Sequence, residues 1–358
     1  MADSAIVFTH DLLNTSFAKT CHGLLRGTNR YEVLAVINAD HTGRDAGEIL
    51  DGTPRGIPIF DSVKSFLQQS TRKPKYCVVG VAFPGGRLPE ACRRELFTAM
   101  KNGLSIVCGL HEFLSEDPEF RRLAQENNVE LIDIRKPRPT ADLHFWSGEI
   151  YSIRPPVIAV LGTDCAVGKR TTARFLMETC HANGIKAELI YTGQTGWMQG
   201  YKHGFIFDAT PNDFVSGEIE RVILECARES KPDIIFIEGQ SSLRNPSGPC
   251  GSEFLLSGNA KGIILQHAPS REFFIDLEDS GCQIPQVKDE IDLIRYFGVE
   301  TLAVTLSEEG WDDQKMELYK MDLSEEIKIP VIRPLVDGVE SLIPLLRNLI
   351  ATSGDIPG

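Results

Sequence analysis

Short apolar runs alternate along this chain with longer stretches whose apolar positions recur at helical spacing. Ala5–Phe8, Tyr31–Asn38, Ile57–Phe60, Tyr76–Val81, Leu104–Cys108 and Val129–Ile134 read as strands. Between them, helical periodicity passes through Phe17, Leu24 and Leu25, and again through Leu88–Asn102, while Phe83-Pro84-Gly85-Gly86 reads as a loop. The same rhythm resumes at Val157. It predicts strands at 157–161, 186–192, 233–237, 261–265, 300–305 and 329–333, a helix over Ala173–Asn183, and a last helix near 338–350. Strands alternating with helices imply parallel sheets built from strand–helix–strand units.

The rhythm is interrupted once. Lys136-Pro137-Arg138-Pro139 is stiff and basic, and Arg154-Pro155-Pro156 repeats the signal just before the next strand. A boundary near residue 150 follows, and 358 residues suit two domains rather than one core. The fold class is therefore α/β: a Rossmann-like parallel sheet over 1–150, then a second parallel sheet over 151–358, which the segment VIAVLGTDCAVGKRTT at Val157–Thr172 marks as P-loop NTPase-like. The turn after the first strand, THDLLNTSFAK, lacks G-x-G-x-x-G, although Asp40 closes the second strand as a ribose-binding acid would. A structural domain that shapes a cleft or an oligomer contact suits this better than a dinucleotide site.

Composition narrows the function. With 42% apolar and 24% charged residues the chain is that of a globular protein. A net charge of −13 argues against nucleic acid or an anionic membrane as partner. It leaves room for a local basic pocket made by Lys169, Arg170 and Arg174. The nine cysteines show neither C-x-x-C pairs nor His-rich spacing, so neither a disulfide scaffold nor a zinc site is signalled. MADSAIVFTH is not a signal peptide, and no run approaches the roughly 18 apolar residues that would span a membrane. The expected compartment is a reducing cytoplasm, and the expected assembly a homo-oligomer.

The chemistry concentrates in Val157–Thr172, VIAVLGTDCAVGKRTT. An apolar strand, a glycine-bounded loop, a lysine and a helix form the layout of a phosphate-binding P-loop, whose inward N–H groups and helix N-terminus favour anions. Gly162, Thr163, Asp164, Gly168, Lys169, Arg170, Thr171 and Thr172 are the expected cofactor-binding residues. Five residues separate Gly162 from Gly168, one more than the usual spacing. This longer form resembles the loop of dethiobiotin synthetase and related MinD-like proteins. Those place Ser or Thr directly after the lysine to ligate Mg²⁺, whereas here Arg170 holds that place. A guanidinium cannot ligate a metal but pairs with phosphate oxygens, so Arg170 argues against Mg·ATP turnover. Cys165, inside the loop, is either a reactive thiolate or a packing residue.

Ligands gather at the carboxyl ends of strands in open α/β sheets. After Ile190 comes a glycine-rich turn in which Gly193, Gln194, Thr195 and Gly196 are substrate-binding candidates. After Ile237, Glu238 stands in the Walker B position, to hold Mg²⁺ or act as a base, and Asp164 is near enough in principle to couple to it. Gln240, Ser241 and Arg244 follow as substrate contacts. Asp213 is either a catalytic group or a helix cap. His267 ends another strand as an acid or base, a contact to a base ring, or a structural residue, with Arg271 beyond it as a carboxylate or phosphate clamp.

The segments GTDCAVGKRTT, TGQTGW, NDFVSGEIE, EGQSSLRNP and QHAPSR together resemble a family of two-domain proteins that includes the DgcN-type D-glutamate N-acetyltransferases. The resemblance covers nearly the whole chain, and GKRTT with EGQ-S-L are its most specific parts. It implies acetyl transfer from acetyl-CoA to the amino group of a D-amino acid, chiefly D-glutamate. The P-loop would then hold coenzyme A phosphates, and no metal would be required. Glu238, Asp213 and His267 are the catalytic candidates in that reading. Two others stay open: an Mg·ATP-dependent ligase or kinase like dethiobiotin synthetase, and a nucleotide-binding regulatory protein that turns nothing over.

Overall fold

The computed structural model describes residues 2–83 and 86–353. Pro84 and Gly85, in the predicted Phe83–Gly86 loop, lie outside the described residues, as do Met1 and 354–358. The chain divides into two compact units, Met1–Pro137 with Gly193–Tyr201, and Arg138–Thr192 with Lys202–Gly358.

The first unit alternates β1 (Asp3–Phe8), α1 (Lys19–Arg26), β2 (Tyr31–Ile37), α2 (Ala46–Asp51), β3 (Ile59–Phe60), α3 (Val63–Gln69), β4 (Tyr76–Val79), α4 (Glu90–Lys101), β5 (Ser105–Cys108), α5 (Pro118–Asn127) and β6 (Leu131–Asp133). Its six strands lie in the order β3-β2-β1-β4-β5-β6 and pair in parallel, the doubly wound arrangement expected of a Rossmann-like domain. All of β4 is buried because helices cover both faces of such a sheet. Local chemistry sets the helix starts. Asp45 accepts from the N–H groups of Gly47 and Glu48 ahead of α2. Asp117 does the same for Glu119 and Phe120 ahead of α5, where Pro118 costs no hydrogen bond in the first turn.

The second unit carries β7 (Val157–Gly162), α6 (Lys169–Ala182) and β8 (Ala187–Ile190). There follow α7 (Gln194–Gln199), which folds with the first unit, and then α8 (Asn212–Glu229), β9 (Ile234–Glu238), α9 (Ser252–Leu256), β10 (Gly262–His267), α10 (Val287–Tyr296), β11 (Thr301–Leu306), α11 (Asp313–Ile327), β12 (Val331–Ile332) and α12 (Ile343–Ser353). The strand order is β12-β11-β10-β7-β9-β8, again all parallel. Every residue of β7, β9 and β10 is buried, so the P-loop strand and both its neighbours are clamped between helical layers. Each such Ile, Val or Leu contributes about 1.5–3 kcal/mol by leaving water.

The proline-marked segment that follows Pro137 packs on α8 through two buried carboxylates. Glu218 takes Arg138, Arg221 and the His144 ring, and Glu220 accepts the N–H groups of Ser147, Gly148 and Ile150. Among the described residues no helix is long and apolar enough to cross a membrane, and no group of three or more His, Cys, Asp or Glu could hold a metal ion.

Candidate functional site

The parallel register sets Val160 of β7 opposite Glu238 of β9, so the acid arrives level with the entry to the glycine loop. Gly168 closes that loop with φ +107°, a left-handed conformation that a Cβ would strain, and caps α6 without a side chain. Lys169 begins the helix, and its buried ammonium bends back over the loop. It donates to the carbonyls of Asp164 at 2.6 Å and Ser241 at 2.8 Å. Burial holds the ammonium below the ordinary lysine value, against the pull of Cys165, Asp164 and Glu238. Two of its three N–H bonds are used here, which leaves one for a phosphate oxygen.

Asp164 is 0% exposed and holds the loop's shape. Its Oδ1 accepts from the Cys165 N–H at 2.6 Å and Asn245 Nδ2 at 3.2 Å. Its Oδ2 accepts from Arg271 Nη1 at 3.1 Å and the Ile275 N–H at 2.9 Å. Both carboxylate oxygens are thus taken by donors of the loop and its neighbours. Arg271 also donates to the Cys165 carbonyl at 2.7 Å and pairs with Glu309 at 2.6 Å, so its whole fork is engaged in fastening the loop. Cys165 is half-buried, with its thiol 3.6 Å from the Ser241 hydroxyl.

Glu238 lies against Arg170. Its Oε1 is 3.7 Å from Arg170 Nη1, and its Oε2 accepts from the Thr192 N–H at 3.3 Å. Thr192 in turn donates to the Glu238 carbonyl at 2.7 Å and accepts from Gln240 Nε2 at 2.7 Å. Gly239 passes so close to β7 that an added Cβ would lie 2.6 Å from the Val160 carbonyl, so this approach of the two strands requires glycine.

The hydroxyls of the loop divide between structure and solvent. Thr172 and Thr305 both donate to Gln266 Oε1, at 2.5 and 2.6 Å, and so pin α6 and β11 to β10. Thr163 meets His267 Nδ1 at 2.9 Å, while Thr171 remains half-buried. His267 is buried, stacks on Tyr319 and is pushed down to about 4 by desolvation, so its ring is neutral at neutral pH. Unfolded imidazole titrates near 6.5, so the unfolded chain binds more protons between pH 6.5 and 4. This contribution to stability is therefore complete above pH 6.5 and is lost as pH falls toward 4, for a total of about 3 kcal/mol. Urea unfolding at pH 4.5 and 7 should show a smaller loss for His267→Gln than for wild type. Equal losses would mean that His267 is not the group responsible.

The loop after β9 runs along the P-loop, with Ser241 on Lys169 and Asn245 on Asp164. Ser241 adopts φ +40° to make that turn. Between them, Arg244 Nε donates to Glu290 Oε2 of α10 at 2.7 Å. Arg244 Nη2, Glu290 Oε1 and the Ser242 hydroxyl are buried without a hydrogen-bond partner among the described residues. Each such atom costs about 1–3 kcal/mol unless something satisfies it.

Gly193, Gln194, Thr195 and Gly196 belong to the first unit, and they form the start of helix α7 rather than the open glycine-rich turn read from the sequence. There Thr195 hydrogen-bonds Thr20 at 2.9 Å, Gln199 reaches the carbonyls of Gly23 and Gly27, and Arg30 covers the Trp197 ring. Asp213 lies exposed in the first turn of α8, where Pro211 holds the cap position and no side chain caps the helix. Gln266, Asn245, Thr192 and Glu290 were missed as site residues. The first three follow or sit among the quoted motifs. Glu290 carried no signal, because an acid in a helical first turn is ordinary.

Comparison with known proteins places this architecture. A family model described as "Domain of unknown function (DUF1611_C) P-loop domain" matches residues 144–343, and its partner "DUF1611_N Rossmann-like domain" matches residues 39–137. A D-glutamate N-acetyltransferase from a Pseudoalteromonas species is 29% identical over 276 residues, 75% of this chain and 80% of that protein. Another so named, from Tritonibacter scottomollicae, is 25% identical over 279 residues, 76% of this chain and 81% of that protein. The crystal structure of a DUF1611 family protein from Anabaena variabilis matches with a TM-score of 0.87 at 26% identity, covering 97% of this chain and 99% of that one. With a Rossmann-like sheet, a P-loop sheet and both family models in the same order, the chain belongs to the DUF1611 family.

Proposed function

We propose that the protein is an N-acetyltransferase that moves the acetyl group of acetyl-CoA to the amino group of a D-amino acid, D-glutamate foremost. The P-loop holds the phosphates of coenzyme A. Two relatives that align with three-quarters of the chain carry the name D-glutamate N-acetyltransferase. The observation that carries the reading within the site is the Arg170–Glu238 pair at 3.7 Å. In metal–nucleotide P-loops the hydroxyl after the lysine and the acid on the neighbouring strand share a divalent cation. Here a fixed guanidinium takes the first place and faces the acid, so positive charge comes from Lys169 and Arg170. Such a cradle suits a pyrophosphate that is bound but not cleaved. Coenzyme A carries one, with a further phosphate on its ribose.

Acyl transfer to an amine needs a group that takes the ammonium proton and donors for the oxygen that gains charge. His267 is a weak acceptor for this purpose, since burial lowers it to about 4 and its Nδ1 is engaged with Thr163. Glu238 is turned toward Arg170, which suits it to ordering the phosphate cradle. Purified protein with D-glutamate and acetyl-CoA should release free thiol in step with N-acetyl-D-glutamate, and the rate should survive EDTA. ADP release from Mg·ATP without thiol would replace this reading with that of an ATP-dependent ligase or kinase.

A further inference from the structure

Arg244 and Glu290 are an ion pair used only by half. One contact, Arg244 Nε to Glu290 Oε2 at 2.7 Å, joins them. Each then keeps a second polar atom, Arg244 Nη2 and Glu290 Oε1, that is buried and has no partner among the described residues. Glu290 is 2% exposed, whereas about a third of the Arg244 side chain reaches the surface. A purely structural pair gains most from a bidentate fork, which would satisfy both oxygens. This one instead presents a bare donor beside a bare acceptor of opposite charge.

Arg244 also belongs to the loop that runs along the P-loop. Arg244 lies between Ser241, whose carbonyl holds Lys169, and Asn245, which holds Asp164. Glu290 is in the first turn of α10, which runs back from the carboxyl ends of the strands toward β11. The ligand class with one anionic and one cationic group two bonds apart is the α-amino acid.

We propose that Arg244 and Glu290 form the amino-acid subsite, with the α-carboxylate on Arg244 Nη2 and the ammonium on Glu290 Oε1, and that Glu290 is the general base. The chemical step rests on the acetyl-transfer reading above. Glu290 takes one proton from the ammonium and becomes a neutral carboxyl group. The free amine attacks the thioester carbonyl carbon, the new C–N bond forms and the C–S bond breaks. Coenzyme A leaves as thiolate and takes the second nitrogen proton to become the thiol, and Glu290 releases its proton to solvent. Burial raises Glu290 above the ordinary carboxylate range in spite of Arg244, which suits a proton acceptor. The Ser242 hydroxyl, also buried and without a partner among the described residues, is a further donor within the same loop.

Calorimetric titration of the whole protein tests this with three ligands: D-glutamate, glutarate, which lacks the amino group, and 4-aminobutyrate, which lacks the α-carboxylate. Wild type should prefer D-glutamate to both by at least tenfold. Glu290→Gln, which keeps an acceptor for Arg244 Nε, should lose the preference over glutarate and lower kcat at least a hundredfold. Arg244→Lys should lose the preference over 4-aminobutyrate and raise KM for D-glutamate at least tenfold. Coenzyme A affinity should stay within twofold in both variants, a pattern that a merely structural pair would not produce. Unchanged preferences, or kcat retained in Glu290→Gln, would overturn the subsite and leave the acetyltransferase standing. A wild-type protein that binds no amino acid would overturn the subsite equally. Binding with the expected preferences but no thiol release from acetyl-CoA would instead support the subsite and overturn the reaction.

Discussion

Lys169→Met should abolish thiol release and weaken coenzyme A binding by about a hundredfold or more, while leaving the fold as stable as before. If the P-loop holds coenzyme A as proposed, the loss of function follows from removing a desolvated charge beside a phosphate, a change worth about 2–5 kcal/mol where the ligand charge is then left unpaired. The unchanged stability follows from burial. The ammonium is held below its ordinary value because desolvation outweighs the attraction of Cys165, Asp164 and Glu238. A neutral side chain of similar length therefore relieves a cost of the empty site, offsetting the two carbonyl hydrogen bonds that are lost. Coenzyme A titration and thermal unfolding check the two halves separately. A Lys169→Met protein that binds coenzyme A normally would remove the P-loop from the reaction altogether.

The second large effect is on stability. Asp164→Ala should cost about 3–5 kcal/mol, because it removes at once a fully buried partner of the Arg271 guanidinium, which keeps Glu309, and the acceptor of three further donors. The carboxylate is fully buried and accepts from Cys165, Asn245, Arg271 and Ile275, which belong to the P-loop, the loop after β9 and the segment after β10. Asp164→Asn should lie between, since an amide keeps one acceptor and turns a donor toward the others. Urea unfolding measures both. A cost below about 1 kcal/mol for the alanine variant would show that the loop holds its shape without this hub.

Strand positions were legible because parallel central strands are buried on both faces and so appear as unbroken apolar runs. Among the described residues each of the twelve strands lies within or across a predicted run, from β1 at Asp3–Phe8 to β12 at Val331–Ile332. The P-loop was equally legible, since its glycine, lysine and helix are contiguous in the chain. Gly193–Gly196 reads in the sequence as a glycine-rich turn, and here a helix begins instead, for a tertiary reason. Gly196 weakens a helix locally, yet α7 forms because Thr195, Trp197 and Gln199 find partners on α1 and at Arg30.

By itself, then, the sequence determined what depends on neighbours in the chain: two runs of alternating strand and helix, a phosphate loop, and a guanidinium where a metal-binding hydroxyl usually stands. Only the tertiary structure decided what depends on residues far apart. Arg170 meets Glu238 across the β7–β9 register, and Asp164 gathers donors from positions 245, 271 and 275. It alone joined Arg244 to Glu290, 46 positions apart, leaving two opposite atoms bare. Contacts of this kind are made by strand order and helix packing, and no local pattern of residues encodes them.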